Sequence, residues 1–455
     1  MMPGAARIRA LFEREQIEGL ATDHATARGA DDLLRGEGWV AAGRVTLEPS
    51  GDDLLWAEYP VSRRAPVLTT VSLPGLWATC SCAATRFPCR HIIALLLSDL
   101  NEPLPTDADA PDWLPPAAHG WNLTPAVGET QSAERQAAVV AGMADLRLWL
   151  SDLAREGLAD LPRRGRAKFL GAANRLEDAY AVEAARALRE TAAIPGSGMD
   201  WPERLLPDLG RLALLCESFR RLDALSPGER GDTLAAAGFL SPATGERVTD
   251  TWRILGQVVE VENRVTHLRS WLRGRATGRW ARLDQAIPAG QLQGVCLPTG
   301  ALVGGALAFS PSAYPLMARP VGPLAPVHGE TGDPAAHDDI DATHGDIDAT
   351  HGDIDATMSG WSAALALNPW LRRFPMAIRD VWVEPPLTAG GRWRLRDRAG
   401  HVLPLPPQFG HGWSLTALSA GRPMTLFGEW DGALFAPASV LAGTWRPLSA
   451  WKVVV

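Results

Sequence analysis

Three of the five cysteines in this 455-residue chain fall between positions 80 and 89, and a histidine follows two residues later. The pattern is Cys80-Ser81-Cys82, six residues, then Cys89-Arg90-His91. Zinc takes thiolate and imidazole ligands and closes structural sites with four of them. Three Cys and one His fill that shell. In extended chain, residues i and i+2 project to the same side, so Cys80 and Cys82 can grip one ion. On a regular helix the same spacing diverges by roughly 200°. Cys89 is therefore expected just before the first turn of the apolar run 92–100, where the helix dipole steadies a thiolate. A catalytic zinc keeps a position open for water, and four strong ligands leave none. A Cys–His nucleophile pair would lack an orienting third group and leave two cysteines without a purpose. The pattern predicts one structural zinc ion held by Cys80, Cys82, Cys89 and His91.

The other cysteines, Cys216 and Cys296, stand alone. An odd count with one tight cluster suits a metal site in a reducing compartment better than a disulfide framework, which leads to a cytoplasmic expectation. No run of about 18 apolar residues is present, so no membrane span is expected. The first residues carry charge early and lack an apolar signal core. Net charge is −8, and eight aspartates in one tract (Asp333, Asp338, Asp339, Asp341, Asp346, Asp348, Asp353 and Asp355) equal it. The first 103 residues hold ten Arg against thirteen Asp and Glu. A module that clamps nucleic acid without sequence preference is basic, and this one is mildly acidic.

Periodicity divides the chain into an α+β multidomain protein. Residues 1–103 read as a small zinc-stabilised ββα-type N-terminal module, with alternating segments at 43–48, 54–60 and 67–73 ahead of the cysteines. A Pro-rich linker spans 104–126. Residues 127–240 are helical, with Val139, Met143, Leu146, Leu150 and Leu153 at three-to-four spacing. Residues 241–455 form a mixed, then β-rich region, in which 249–272 is expected to begin as strand and end as helix. Near-identical heptads begin at His337, His344 and His351. One isoleucine per heptad cannot offset the ordering entropy, so 331–358 reads as a disordered acidic repeat.

The segments Trp77-Ala-Thr-Cys80-Ser-Cys82 and Cys89-Arg-His91-Ile-Ile-Ala-Leu-Leu, preceded by hairpins and followed by an apolar helix, resemble the SWIM zinc finger over roughly residues 25–103. Ala83 stands where that family commonly has Pro, and Arg90 where it commonly has Lys. The remainder resembles long bacterial SWIM proteins more loosely, through the segments 248–257, 269–280 and 428–432. The resemblance implies binding of DNA or of other proteins. It also implies an adaptor role beside MoxR-type AAA ATPases and von Willebrand A-domain proteins.

Two further sets of residues are candidates for anion or nucleic-acid contacts. Arg86 and Arg90 flank the cysteines. Arg264, Arg269, Arg273, Arg275, Arg279 and Arg282 fall in a stretch without acids, interleaved with Trp271 and Trp280. Arginines beside aromatics can hold phosphates and stack on bases. The plainer expectation is a solvated helix face carrying Arg269 and Arg273, with the tryptophans packed inward. No Walker loop, dinucleotide fingerprint, nucleophile elbow or zinc-protease motif occurs, and no enzyme activity is expected. A protein-interaction adaptor is the leading reading, with DNA binding through the zinc module or 264–282 as the alternative.

Overall fold

The computed structural model describes residues 8–21, 23–35, 39–47, 52–61, 65–73, 75–106, 111–114, 133–239, 245–262, 264–290, 292–327, 353–388 and 391–448. Helices α1 (Ile8–Leu11), α2 (Arg14–Glu18) and α3 (His24–Arg35) lead into strands β1 (Ala41–Leu47), β2 (Asp52–Tyr59), β3 (Val67–Leu73) and β4 (Trp77–Cys80). Helix α4 (Arg90–Asn101) follows the cysteine loop. A helical middle comprises α5 (Ala133–Glu156), α6 (Leu161–Asp178), α7 (Val182–Thr191), α8 (Trp201–Arg220) and α9 (Pro227–Ala237). Local chemistry sets the limits of α9. Ser226 and Glu229 form a reciprocal capping box, Pro227 opens the first turn, and Gly238 closes the helix at φ 110°.

Beyond this point the chain is mostly strand: β5 (Arg247–Glu262), β6 (Val265–Gly274), β7 (Trp280–Pro288), β8 (Leu292–Val295), β9 (Leu302–Phe309), β10 (Ala318–Pro320) and β11 (Ala325–Pro326). Helix α10 (Ile354–Leu367) precedes β12 (Phe374–Glu384), β13 (Arg394–Arg396) and β14 (Val402–Pro404). Helix α11 (Gly412–Ser419) precedes β15 (Met424–Trp430), β16 (Phe435–Ala442) and β17 (Thr444–Pro447). No helix of the described residues is long and apolar enough to cross a membrane.

Three antiparallel sheets result. The first has the order β1-β2-β3-β4-β8, the second β10-β9-β5-β6-β7 with β11 on β9, and the third β14-β13-β12-β15-β16-β17. The first sheet takes its last strand from far along the chain: Trp77 pairs with Val295 and Cys80 with Leu292. The module read as 1–103 is therefore not closed by its own residues. Its core, built on Leu55, Tyr59, Val71 and Leu95, is continuous with Trp252, Leu268, Leu272 and Val295 of the β-rich region. The segment 104–126 begins against the same sheet. The Arg44 amide donates to the Pro105 carbonyl, and the Trp113 indole donates to Glu58.

Two sequence expectations are corrected. Residues 249–272 are two paired strands, β5 and β6, with no helical end. Leu268, Trp271 and Leu272 mimic helical spacing because β6 is buried on both faces. Leu268 and Leu272 face the first core, and Trp271 faces the third sheet. The third sheet approaches closely at a bulge in β5, where a side chain on Gly256 would strike Phe427. The second correction concerns the acidic repeat. Its last residues are ordered, because Asp353 caps α10 by accepting from the Ala356 amide and Ile354 is buried. Residues 331–352 lie outside the described residues.

The helical middle is tied to the β-rich region through Asp232 of α9. Its carboxylate accepts from the Ser312 hydroxyl, the Ala313 amide and the Asn368 side chain. Burial pushes its pKa up to about 6, against the pull of those donors. A raised carboxylate pKa contributes stability below the unfolded value that is lost as pH rises through the folded one. Relative to Asp232→Asn, the wild-type protein is expected to lose melting temperature between pH of about 4 and about 7. A pH-independent difference between the two in scanning fluorimetry would contradict this.

Candidate metal centre

The Cys80, Cys82, Cys89 and His91 side chains are all buried, and their ligand atoms lie within 4.8 Å of one another. Each is positioned by ordinary local structure. Cys80 ends β4, opposite Thr69 of β3. The chain then stays beside β3 for one more residue, the Ser81 amide donating to the Leu68 carbonyl and the Leu68 amide to the Ser81 hydroxyl. This turns Cys82 back toward Cys80. Cys89 is the N-cap of α4, extended at φ −84° and ψ 167°. His91 sits in the first turn, which resolves the divergence that a regular helix imposes on the Cys89/His91 spacing. His91 Nδ1 is 3.8 Å from Cys80 Sγ and 3.9 Å from Cys89 Sγ. Four ligands around zinc, with Zn–S of about 2.3 Å, stand about 3.5–3.8 Å apart along the tetrahedron edges. The separations match, and Nδ1 is the ring nitrogen facing the site.

The thiols themselves ask for a cation. Hydrogen bonds from Cys80 and then Cys89 pull Cys82 down to a thiolate. Its neighbours are pushed the other way. Cys80 rises to about 12, chiefly through the hydrogen bond it shares with Cys82. Cys89 rises through burial and then through the same two thiols. The metal-free pocket thus disfavours ionisation of all three thiols together. A divalent ion would let all three ionise, and zinc supplies that charge in the geometry present. Three thiolates and a neutral imidazole complete the shell, so the cluster fits one structural zinc ion.

Sequence reasoning did not find the supporting residues. The Thr69 hydroxyl lies 3.2 Å from Cys80 Sγ. The Tyr59 hydroxyl donates to the His91 carbonyl at 2.6 Å, and its ring lies 4.7 Å from the imidazole, centroid to centroid. Both orient ligands and exclude water. Thr69 was within reach of a register argument, being the cross-strand partner of Cys80. Further along α4, buried Asp99 receives two hydrogen bonds from the Arg44 guanidinium, whose other nitrogen reaches buried Asp53. The triad clamps the zinc-bearing helix to β1 and β2.

A family model described as SWIM zinc finger matches residues 72–99, a span that brackets the four ligands. The protein carries a SWIM zinc finger. A second model, described as a SWIM-associated four-helix bundle domain, matches residues 134–237, the helical middle from α5 to α9. No curated protein and no solved structure matches the chain.

The arginine candidates are not gathered in the same way. Arg86, in the finger loop, pairs with Asp23 at 3.1 Å. Arg90 opens α4 exposed, its stem against Gly29 of α3. Arg269 and Arg273 lie on strand β6, not on a helix. Arg269 pairs with buried Glu429 and with Glu260. Arg279 pairs with Glu246 and lies over Phe309. Arg282 reaches Asp284. Arg275 sits at the β6–β7 turn, whereas Arg264 is at the other end of β6, roughly 30 Å away at strand rise. No single basic face forms among them.

Cys80→Ser and His91→Ala are expected to remove the one zinc per chain, read by native mass spectrometry. They are also expected to raise hydrogen exchange at 292–295 as well as at 67–80, because β8 pairs with the ligand strand. Retention of zinc would refute the ligand set. Asp99→Ala is expected to keep zinc but lose about 3 kcal/mol of stability in urea, because the buried Arg44 guanidinium loses one of its two carboxylates and keeps Asp53 alone. A loss under about 1 kcal/mol would show that the triad contributes no more than a surface pair.

Proposed function

We propose that this SWIM protein is a non-catalytic cytoplasmic adaptor whose zinc site fixes the shape of a protein-docking platform. The observation that carries this reading is the burial of all four ligand residues. A metal so enclosed offers nothing to a substrate. Its contribution is to hold β4, the cysteine loop and α4 in one arrangement, and through β8 to join that arrangement to the β-rich region. The finger loop belongs to this joint as well, since Thr266 of β6 donates to the Thr85 carbonyl. The resemblance to long bacterial SWIM proteins names the partners: a MoxR-type AAA ATPase and a von Willebrand A-domain protein.

DNA binding is the second reading. It draws on the exposed Arg90 and on Arg275 at its hairpin turn. Against it stand the ion pairs that engage Arg86, Arg269, Arg279 and Arg282. The two readings separate in one set of measurements on zinc-loaded full-length protein. Fluorescence anisotropy with duplex DNA across a salt series is expected to show no steeply salt-dependent binding. Size-exclusion chromatography with the MoxR-type ATPase of the source organism is expected to show a complex that His91→Ala abolishes. Micromolar DNA binding that collapses with salt, and no complex, would replace the adaptor by a nucleic-acid binder.

A further inference from the structure

Among the described residues, Arg273 of the β-rich region has no acidic side chain in ion-pair contact. Arg273 on β6 lies directly across from Arg253 on β5 and from Trp280 on β7. Residues directly opposite in antiparallel strands share a face, and like charges so placed repel. On that face the Arg273 guanidinium stacks over Trp280, with its Cζ 4.6 Å from the ring centroid. Trp280 in turn stacks on Phe427 of the third sheet, 5.7 Å between centroids. The side chain is partly covered, and its buried Nε has no hydrogen-bond partner. No ion pair or side-chain hydrogen bond engages Arg273 among the described residues, although nearby Arg269, Arg279 and Arg282 each reach an acid. Burial draws its pKa down to about 10, and the adjacent Tyr314 phenol is the only group that pulls it back. A charge removed from water without a partner is costly. The Trp280 face compensates one side of the guanidinium plane. The donor edge is left for something that brings negative charge.

We propose that Arg273, Tyr314 and the Trp280 face form a receptor for a single carboxylate, presented by an acidic residue of a bound protein segment. Two features favour a lone carboxylate over a run of phosphates. The donor set is one guanidinium fork with a phenol beside it, which matches the two oxygens of a carboxylate. The wall on one side is the Trp280 ring; on the other is Arg253, which donates to the Gly300 carbonyl. Further along the strands, Arg269, Arg373 and Arg282 are already engaged by Glu260, Glu429 and Asp284, so they offer no ready cation to the next phosphates of a nucleic-acid backbone. The site lies at the seam of the second and third sheets and does not depend on what the zinc finger docks.

The test uses zinc-loaded full-length protein and fluorescein-labelled peptides. One peptide carries a single glutamate among glycines and leucines, and its twin carries glutamine at that place. The glutamate peptide is expected to bind about tenfold more tightly, the size of one charge-assisted pair. Arg273→Gln is expected to erase that difference while retaining zinc and melting temperature. Arg398→Gln, remote from the seam, is expected to preserve it. Arg273→Lys keeps the charge but not the fork, and is expected to recover only part of the preference. Equal binding of the two peptides, or a preference that survives Arg273→Gln, would overturn the proposal. So would Arg273-dependent binding of duplex DNA without any glutamate preference.

Discussion

Three sulfur atoms and an imidazole nitrogen held within 4.8 Å in a buried site set an electrostatic problem with one economical solution. Without a cation, hydrogen bonds from Cys80 and Cys89 favour the Cys82 thiolate, and Cys80 and Cys89 are pushed toward the neutral thiol. With zinc, all three become ligands. The free energy of that change is folding free energy, because the unfolded chain has no such site. Its effect reaches beyond twelve residues. The ligand strand β4 forms the middle of a joint between β3 and β8. The helix that starts at the metal carries Ile92, Ile93, Leu95 and Leu96 into the shared core. The relation between the finger and the β-rich region therefore rests on the metal.

Ionic contacts do the remaining positioning, and they are made by arginine. The chain has two lysines, Lys168 and Lys452. Arg44 bridges Asp53 and Asp99 under the zinc helix, and Arg269 and Arg373 converge on buried Glu429. A guanidinium offers planar, forked donors that can satisfy more than one carboxylate at once, and it is less strongly hydrated than an ammonium. Buried pairs of this kind contribute little net stability, but breaking one is expensive. They act as registration marks between packed layers. The Trp271 indole also donates to Glu429, so the segments 269–280 and 428–432, noted separately in the sequence, meet at one carboxylate.

The metal ligands were legible because metal chemistry is local. Ligand type and spacing carry nearly all the information, and Cys80 through His91 span a few turns of chain. The helical middle was legible for a similar reason, since Val139, Met143, Leu146 and Leu153 are buried at the period of a one-sided helix. Legibility failed wherever a second partner came from afar. Strand β6 reads as helix because its two faces are covered by different sheets, which destroys the alternation of a half-buried strand. The pairing of Leu292–Val295 with Trp77–Cys80 was not legible, because nothing in the sequence of β8 marks it as a partner of β4. The same holds for the arginines. Their sequence interval contains no acids, but their partners Glu246, Glu260 and Glu429 arrive from other parts of the chain.

The late arrival of β8 has a consequence for synthesis. When the finger leaves the ribosome it already holds every metal ligand, but the outer edge of β4 has no neighbour until about two hundred further residues have emerged. An open strand edge is a template for pairing with other chains. Metal capture during that interval pins Cys80 and turns the chain sharply after β4, which shortens the edge available to strangers. The helical middle, with a core largely of its own residues, is made in the same interval. Zinc supply during translation would thus decide how much chain reaches a productive fold, ahead of any role in the finished protein.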